Sequence, residues 1–248
     1  MLKILQSTCC YWLCALLALP SHADEVIIYA DEDYPPIMYK DAQGQARGVM
    51  ADAVRNFEKF SSQKLKLEPT SWRRAYEYAV KGKGGVIGLS KTKERLALFD
   101  YSDVIFEDNI YLAVRRGKEF EFKTLDDLKN KLIGMHLGAS YGEQIDNAVK
   151  NGALKADLST TDVIRIRKLL RGRLDAAVVS HGQIGLDAIL KSDPELLANK
   201  HEFVILANPL VRDPLHLGFA KSMKMLPLIH EFNQSLKANK TPLTIKKE

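Results

Sequence analysis

The hydrophobic positions of the chain change their period from one segment to the next. The segments 25–30, "EVIIYA", and 84–90, "GGVIGLS", are short continuous apolar runs, which is the pattern of buried strands. Residues 48–62 instead place apolar side chains at every third or fourth position and predict a helix. Strand, helix, strand and helix in this order predict an α/β layer with a mostly parallel sheet.

The alternation is interrupted once in the middle of the chain and once near its end. The segment 109–122, "NIYLAVRRGKEFEF", predicts a long strand that leaves through charged residues and a glycine, as a crossing into a second domain would. Strands and helices then alternate again, and "SYGE" at 140–143 predicts a capping box that opens a helix. The proline-rich segment 207–214 predicts a second crossing, followed by one strand and a long C-terminal helix.

Two segments repeat one pattern. "KGKGGVIGLS" at 81–90 and "RGRLDAAVVS" at 171–180 both consist of basic–Gly–basic, an apolar strand and a serine. Either this is the ordinary transition from a helix to a strand, or the chain holds two similarly wound lobes. In the second case Ser90 and Ser180 lie at carboxyl ends of strands, which is where open α/β sheets bind ligands. Two such edges facing each other across two crossings would form a cleft with a hinge.

The first 23 residues have the composition of an export signal. One lysine precedes an apolar run that is short for a membrane span, and Ser21 and Ala23 supply the small residues of a cleavage site. We predict a signal peptide over 1–23, cleaved after Ala23, and a periplasmic location. An uncleaved anchor and a lipid-anchored cysteine are the alternatives. All three cysteines fall in this segment, so the exported chain would have no disulfide, thiolate nucleophile or cysteine metal site.

Composition and charge argue against several kinds of function. Hydrophobic residues make up 46% of the 248 residues, which is enough for the core of one or two domains. The net charge falls from +5 to +4 without Lys3, and the basic residues are scattered, unlike a nucleic-acid-binding stripe. "GKGGVIG" spells neither a phosphate loop nor a dinucleotide motif. No histidines occur at metal-ligand spacing, and we interpret the acidic segments 31–34 and 106–109 as solvated loops. We expect no metal, no cofactor and no nucleic-acid partner.

The segment 88–102, "GLSKTKERLALFDYS", carries the clearest candidate chemistry. Ser90, Thr92 and Arg95 follow directly on a buried strand, where a helix begins. One interpretation is a capped helix with a solvated arginine. The other is an anion clamp, because the guanidinium fork matches a carboxylate through two parallel hydrogen bonds. The segment by itself favours neither.

Four segments together resemble the signature blocks of a known family. They are "ADEDYPPIMYKDAQGQARGVMADAV", "GLSKTKERLALFDYS", "LDDLKNKLIGMHLGASYGEQI" and "LLRGRLDAAVVSHGQ". Their order is similar to that in the bacterial extracellular solute-binding proteins of family 3, the periplasmic amino-acid-binding type. The resemblance implies an α/β, type II periplasmic-binding-protein fold, in which two crossover strands join two lobes and form a hinge. We expect lobe one to comprise 24–114 and 207–248, and lobe two to comprise 115–206.

The resemblance also implies roles for residues around a cleft between the lobes. The arginine of the Thr-x-x-Arg block, here Arg95, would clamp the α-carboxylate of the ligand. Ser140 would donate to the same carboxylate from a helix N-terminus in lobe two. Trp72 would form an apolar or cation–π wall, although simple half-buried packing also explains that position. The remaining cleft positions are Ser90, Thr92, Asp31, Tyr34 and Ser180.

Ser180 departs from the family pattern. The family usually has an acid at this strand end, where it binds the α-ammonium of the ligand, and here a serine is followed by His181. A neutral hydroxyl cannot balance an ammonium group that has left water. Either Asp31 or Asp33 takes over that role, or the ligand is not a standard α-amino acid. We expect Ser180→Asp to raise the affinity for plain amino acids.

The sequence therefore predicts a periplasmic solute-binding protein that captures an amino acid or related small carboxylate by hinge closure. The resemblance implies delivery to an ABC-type permease, which would be a separate inner-membrane chain, and we expect a monomer without enzymatic activity. Two alternatives stay open. One is a dehydratase-like enzyme on the same scaffold, with Glu107, Asp108 or His181 as its catalytic group. The other is a stand-alone ligand sensor that presents its ligand-bound form to a membrane receptor.

Overall fold

The computed structural model describes residues 25–239. The predicted signal peptide, its cleavage site and the last nine residues lie outside the described residues. Between residues 25 and 239 the chain forms eight α-helices, thirteen strands and three short 3-10 turns. None of these helices is long and apolar enough to cross a membrane.

The first lobe begins with a parallel sheet and the helices between its strands. A small three-stranded hairpin sheet precedes its first helix. The elements are β1 (Val26–Asp31), β2 (Asp33–Tyr34), β3 (Met38–Lys40), β4 (Ala46–Arg47), α1 (Val49–Phe60), β5 (Leu65–Thr70), α2 (Trp72–Val80), β6 (Gly85–Ser90), α3 (Lys93–Leu98) and β7 (Phe99–Tyr101).

The second lobe repeats this winding between two long crossover strands. The first crossover is β8 (Phe106–Arg115) and the second is β13 (Val211–Ala220). The chain then returns to lobe one, where α8 (Leu226–Ala238) is the last element of the described residues and packs on α1. Between the crossovers lie β9 (Leu132–His136), α4 (Glu143–Lys150), β10 (Lys155–Ser159), α5 (Asp162–Leu170), β11 (Ala176–Ser180), α6 (Gly182–Lys191), α7 (Pro194–Ala198) and β12 (Phe203–Ile205). The 3-10 turns are Leu125–Leu128, Lys200–Glu202 and Lys221–Met223.

One sheet runs through both lobes, in the order β10-β9-β11-β8-β13-β6-β1-β5. The pairs at its two ends are parallel, whereas β11–β8, β8–β13 and β13–β6 in its centre are antiparallel. The two crossover strands therefore pair with each other, and their register places Asp108 directly opposite Asp213. The carboxyl ends of β1 and β6 face those of β9 and β11 across this pair, and this arrangement creates a cleft.

The apolar core is divided between the two lobes. In lobe one, Phe57 of α1 packs against Phe232 of α8, with ring centroids 5.5 Å apart. In lobe two, one cluster forms around Ile133 and Met135 of β9, and another around Ile166 of α5. Among the buried residues between 25 and 239, none belongs to clusters of both lobes. Each lobe thus has its own hydrophobic core, although the residue bounds given above for the lobes stay a prediction.

The structure confirms several local predictions. The apolar run 84–90 contains β6, and the periodic segment 48–62 contains α1. Thr92 caps α3, because its hydroxyl oxygen accepts a hydrogen bond from the backbone N–H of Arg95 at 3.1 Å.

One local prediction is wrong, and two predicted crossings are present with different bounds. Ser140 does not open a capping box: α4 starts only at Glu143, because Gly142, at φ 88°, turns the chain in a conformation that favours glycine. The first crossing strand ends at Arg115, before Gly117 at φ 76°. The second crossing is itself a strand from Val211, since its proline removes only one donor from the ladder.

Candidate ligand-binding cleft

A cavity of about 60 Å³ lies between the lobes, above the paired crossover strands. A second, more open hollow of about 390 Å³ adjoins it, and the two share Ala139 and Ser140. Thr92 and Arg95 line the outer hollow. The other predicted site residues, Asp31, Tyr34, Trp72, Ser90, Ser140 and Ser180, line the inner cavity. The structure therefore brings all eight predicted positions to one cleft.

The two lobes touch across this cleft. The indole Nε1 of Trp72 in α2 donates a hydrogen bond to the carbonyl oxygen of Gly138 in lobe two, at 3.0 Å. In a second contact between the lobes, the backbone N–H of Asp162 donates to Oδ2 of Asp33 at 3.1 Å. These contacts hold the lobes in a closed arrangement, with Trp72 as part of the wall.

Arg95 is a buried cation that packs on two aromatic rings. Its side chain is 6% exposed, and its guanidinium lies over the rings of Tyr76 and Trp72, at 5.0 and 5.9 Å from their centroids. Its Nη1 donates to the carbonyl oxygen of Ser90 at 3.3 Å. No carboxylate of the described residues is in ion-pair contact with this guanidinium. The interpretation as a solvated arginine is wrong, because the end of β6 and the start of α3 place the side chain inside the cleft.

Asp213, on the second crossover strand, is the acid that faces Arg95 across Ser90. The hydroxyl of Ser90 donates to Oδ2 of Asp213 at 2.6 Å. Burial, together with the neighbouring Asp108, raises the pKa of Asp213 to about 7. No lysine or arginine of the described residues makes an ion pair with it. The cleft thus holds a carboxylate that is poorly neutralised at neutral pH.

Asp108, on the first crossover strand, is fully buried and organises the floor of the cleft. Its Oδ2 accepts hydrogen bonds from the hydroxyls of Ser180 and Tyr34, at 2.5 and 2.6 Å. Its Oδ1 accepts from the backbone N–H of His181 at 3.0 Å. The interpretation of 106–109 as a solvated loop is therefore wrong. A carboxylate introduced at Ser180 would face Asp108, so we now expect Ser180→Asp to destabilise the fold rather than to raise affinity.

Ser140 keeps its place in the cleft but has a different partner from the predicted one. Its hydroxyl donates a short hydrogen bond to Oδ2 of Asp146 in α4, and the backbone N–H of Tyr141 donates to the other oxygen of the same carboxylate. The serine therefore fixes the loop before the helix, and its hydroxyl proton is not free for a ligand while that bond exists.

The far end of the inner cavity holds a chain of four polar side chains, formed by two carboxylates, one imidazole and one guanidinium. Nε2 of His136 lies 3.9 Å from Oδ2 of Asp31, and Nδ1 of His136 lies 3.8 Å from Oδ1 of Asp162. Asp162 in turn pairs with Arg165 of the same helix, α5. Burial raises the pKa of Asp31 to about 6. Burial would also raise the pKa of Asp162, but Arg165 and His136 together lower it below its usual range.

Comparison of the whole sequence with a family profile identifies the family. The family profile described as bacterial extracellular solute-binding proteins, family 3, matches residues 26–247. The chain belongs to this family. It is a solute-binding protein with the two-lobe type II fold, as its resemblance predicted.

Relatives of this solute-binding protein include known amino-acid binders. It is 25% identical over 206 residues to the L-cystine-binding protein TcyJ of Escherichia coli (strain K12), covering 77% of this chain and 76% of TcyJ. It is 23% identical over 152 residues to the amino-acid-binding protein AabA of Dichelobacter nodosus, covering 59% of each chain.

Solved structures share its fold. Holo ArgBP from T. maritima superposes with a TM-score of 0.70 at 21% identity, covering 88% of this chain and 91% of that one. A histidine kinase sensor domain with similarity to periplasmic binding proteins superposes with a TM-score of 0.74 at 18% identity, covering 87% and 90%. At these identities the likeness concerns the fold alone.

Four charged or titratable residues of this binding protein were missed from the sequence: His136, Asp162, Arg165 and Asp213. The patterns of buried positions in α5 and β13 show how three of these residues could have been found. In α5 the buried positions are Asp162, Arg165, Ile166 and Leu169, so two charged residues stand on the apolar stripe. In β13, Asp213 alternates in phase with the buried Leu215. A charge in phase with buried positions indicates a charge inside the protein.

Proposed function

We propose that this protein binds an α-amino acid, or a closely related small carboxylate, between its lobes. One observation carries this proposal: Arg95 and Asp213 contact the same residue, Ser90, from two sides. An α-amino acid carries its carboxylate and its ammonium on one carbon. The guanidinium fork suits the carboxylate, and Asp213 suits the ammonium. Each ligand charge would thus neutralise a buried charge that the described residues leave without an ion pair.

Asp213 accounts for the departure at Ser180. The acid that the family carries at the end of this strand is absent, but the second crossover strand, β13, supplies one that lines the same cavity. Under this proposal Ser180 and Tyr34 serve Asp108, while Trp72 and Tyr76 support Arg95. The donor roles of Ser90, Thr92 and Ser140 toward the ligand remain predictions.

The named relatives support an amino acid as the ligand class, since one binds L-cystine and another is an amino-acid-binding protein. We further propose that the protein acts in the periplasm after removal of residues 1–23, as a monomer, and delivers its ligand to an ABC-type permease formed by separate chains. Binding without catalysis fits Asp108, whose two oxygens already accept three hydrogen bonds.

The test is a calorimetric titration. The full-length chain is expressed for export, and the purified product is titrated at pH 7.5 with L-amino acids, including L-cystine, and with their deaminated analogues. We expect at least one α-amino acid to bind. Arg95→Ala should weaken that binding by at least about 30-fold, because it removes one partner of a buried charge pair. Arg73→Lys, on the exposed face of α2, is the control.

Two results would contradict the proposal. Unchanged affinity in Arg95→Ala would remove Arg95 as the anchor. Equal affinity for the amino acid and its deaminated analogue would show that Asp213 does not bind an ammonium group.

A further inference from the structure

Arg165 is a buried guanidinium with one nitrogen unused. The residue is 3% exposed and lines the inner cavity from lobe two. Its Nε donates to the carbonyl oxygen of Val178 at 3.0 Å, and its Nη2 donates to Asp162. Its Nη1 is buried and has no hydrogen-bond partner among the described residues. An unpaired donor of this kind costs stability, so its presence next to a cavity indicates a ligand atom that accepts from it.

The fold makes room for this arginine at a specific position. Gly134, in the middle of β9, is the residue over which the Arg165 side chain passes. A Cβ at Gly134 would lie 2.9 Å from Cγ of Arg165 and 2.5 Å from Cδ1 of Leu174. Any larger residue would displace the arginine stem or the leucine. The glycine in the strand therefore allows the guanidinium to reach the cavity.

Asp31 faces the same end of the cavity from lobe one. It is 7% exposed, and one oxygen accepts from the backbone N–H of Asp33 at 3.1 Å. Its other oxygen lies 3.9 Å from His136, and no lysine or arginine of the described residues is in ion-pair contact with it. This end of the cavity thus presents an unused guanidinium N–H and a carboxylate without a full counter-ion.

We propose that Arg165 and Asp31 form a second head-group subsite, which binds a second carboxylate–ammonium pair at the far end of the ligand. This inference rests on the proposed function, in which Arg95 and Asp213 bind the first head. The ligand class is then a diamino dicarboxylic acid, with one amino-acid head at each end of a short chain. A distal carboxylate alone would be repelled by the nearby acids Asp31 and Asp162. A zwitterionic head would instead place its carboxylate against Arg165 and its ammonium against Asp31.

The test compares ligands with one head and with two. The full-length chain, expressed for export and purified, is titrated at pH 7.5 with L-cystathionine, L-methionine and L-2-aminoadipate. L-Cystathionine carries an amino-acid head at each end, L-methionine carries one head, and L-2-aminoadipate carries one head and a distal carboxylate. We expect cystathionine to bind at least about tenfold more tightly than either of the others, because its second head gains hydrogen bonds to the charged groups of the second subsite.

Two variants assign this gain to the subsite. Arg165→Lys keeps the charge beside Asp162 but loses the Nη1 donor, and Asp31→Asn keeps the shape but loses the charge. Each should bring the affinity for cystathionine down to that for methionine, so that the loss in cystathionine affinity exceeds the loss in methionine affinity by at least about fivefold. Arg171→Lys, at the exposed end of the same helix, should change neither. Thermal unfolding midpoints identify any variant that fails to fold, and the other variant then carries the test.

The outcomes separate the two proposals. If cystathionine binds no more tightly than methionine, or if both variants weaken the two ligands equally, the second subsite is overturned and the first head site stands. If 2-aminoadipate equals cystathionine, the role of Asp31 toward an ammonium is overturned. If no amino acid of either kind binds, the proposed function fails as well.

Discussion

The buried carboxylate of Asp213 lowers the stability of the ligand-free folded protein at neutral and higher pH. Its ordinary pKa is 3.8, and burial, with Asp108 nearby, raises it to about 7 in the fold. The folded state therefore binds a proton more tightly than the unfolded state does. The resulting stabilisation is fully present below pH 3.8 and is lost as the pH rises through about 7. Asp31 and Asp33, both with pKa values raised to about 6 by burial, act in the same direction at slightly lower pH.

We expect Asp213→Asn to stabilise the ligand-free protein at pH 8 while weakening amino-acid binding. The amide can still accept from Ser90 and carries no charge to be buried. The gain should be at least about 1 kcal/mol, or roughly 2–4 °C in Tm for a chain of this size. Thermal unfolding followed by circular dichroism between pH 5 and pH 8 measures it. The wild type should lose Tm across this range, and the variant should lose less. Parallel curves for the two proteins would show that Asp213 is not the group responsible.

The elements were easier to predict than the charges inside them. The hydrophobic pattern located α1 and the buried strands β1 and β6 of lobe one, because each packs apolar side chains against a neighbouring layer. The positions that line the cleft followed from the resemblance. Arg165 did not, because an arginine in an amphipathic helix is ordinarily solvated. Its burial depends on Gly134 in a different element, and no local pattern records that packing.

Gly134→Ala tests this contact between elements. The added methyl group overlaps Leu174 and the Arg165 stem, so we expect a loss of about 1–3 kcal/mol in unfolding free energy. Combining it with Leu174→Val, which removes the closest atom, should recover part of the loss. Chemical denaturation of the two single variants and the double variant measures the coupling. Strict additivity of the single effects would contradict the proposed overlap.

On the scale of the whole molecule, the hinge is a pair of hydrogen-bonded strands. β8 and β13 join the lobes and also form the centre of the sheet, so the lobes can move only by twisting or bending this ladder. The closed arrangement is completed at the rim of the cleft, where Nζ of Lys93 lies 3.0 Å from Oε1 of Glu143. Ligand affinity therefore depends on rim contacts as well as on the binding residues.

Lys93→Glu would place two like charges across the rim and favour opening. Because the pair is exposed, we expect a modest effect: affinity for the bound amino acid should fall roughly two- to fivefold at low salt. The loss should come mainly from faster dissociation, and it should shrink as salt screens the charges. Calorimetry and stopped-flow measurements at two salt concentrations test this. Restoring the opposite charges with Glu143→Lys in the same chain should recover the affinity. If it does not, the effect of Lys93→Glu has another cause.

The hydrogen bond between Trp72 and Gly138 has a practical consequence. The chain contains two tryptophans, and Trp12 falls within the predicted signal peptide. An exported protein that has lost this segment would carry a single indole, placed where the lobes meet. Indole emission moves to longer wavelength when the ring enters water. Opening and closing of the cleft would then change the colour of the protein's own fluorescence, and capture and release could be timed without attaching a dye.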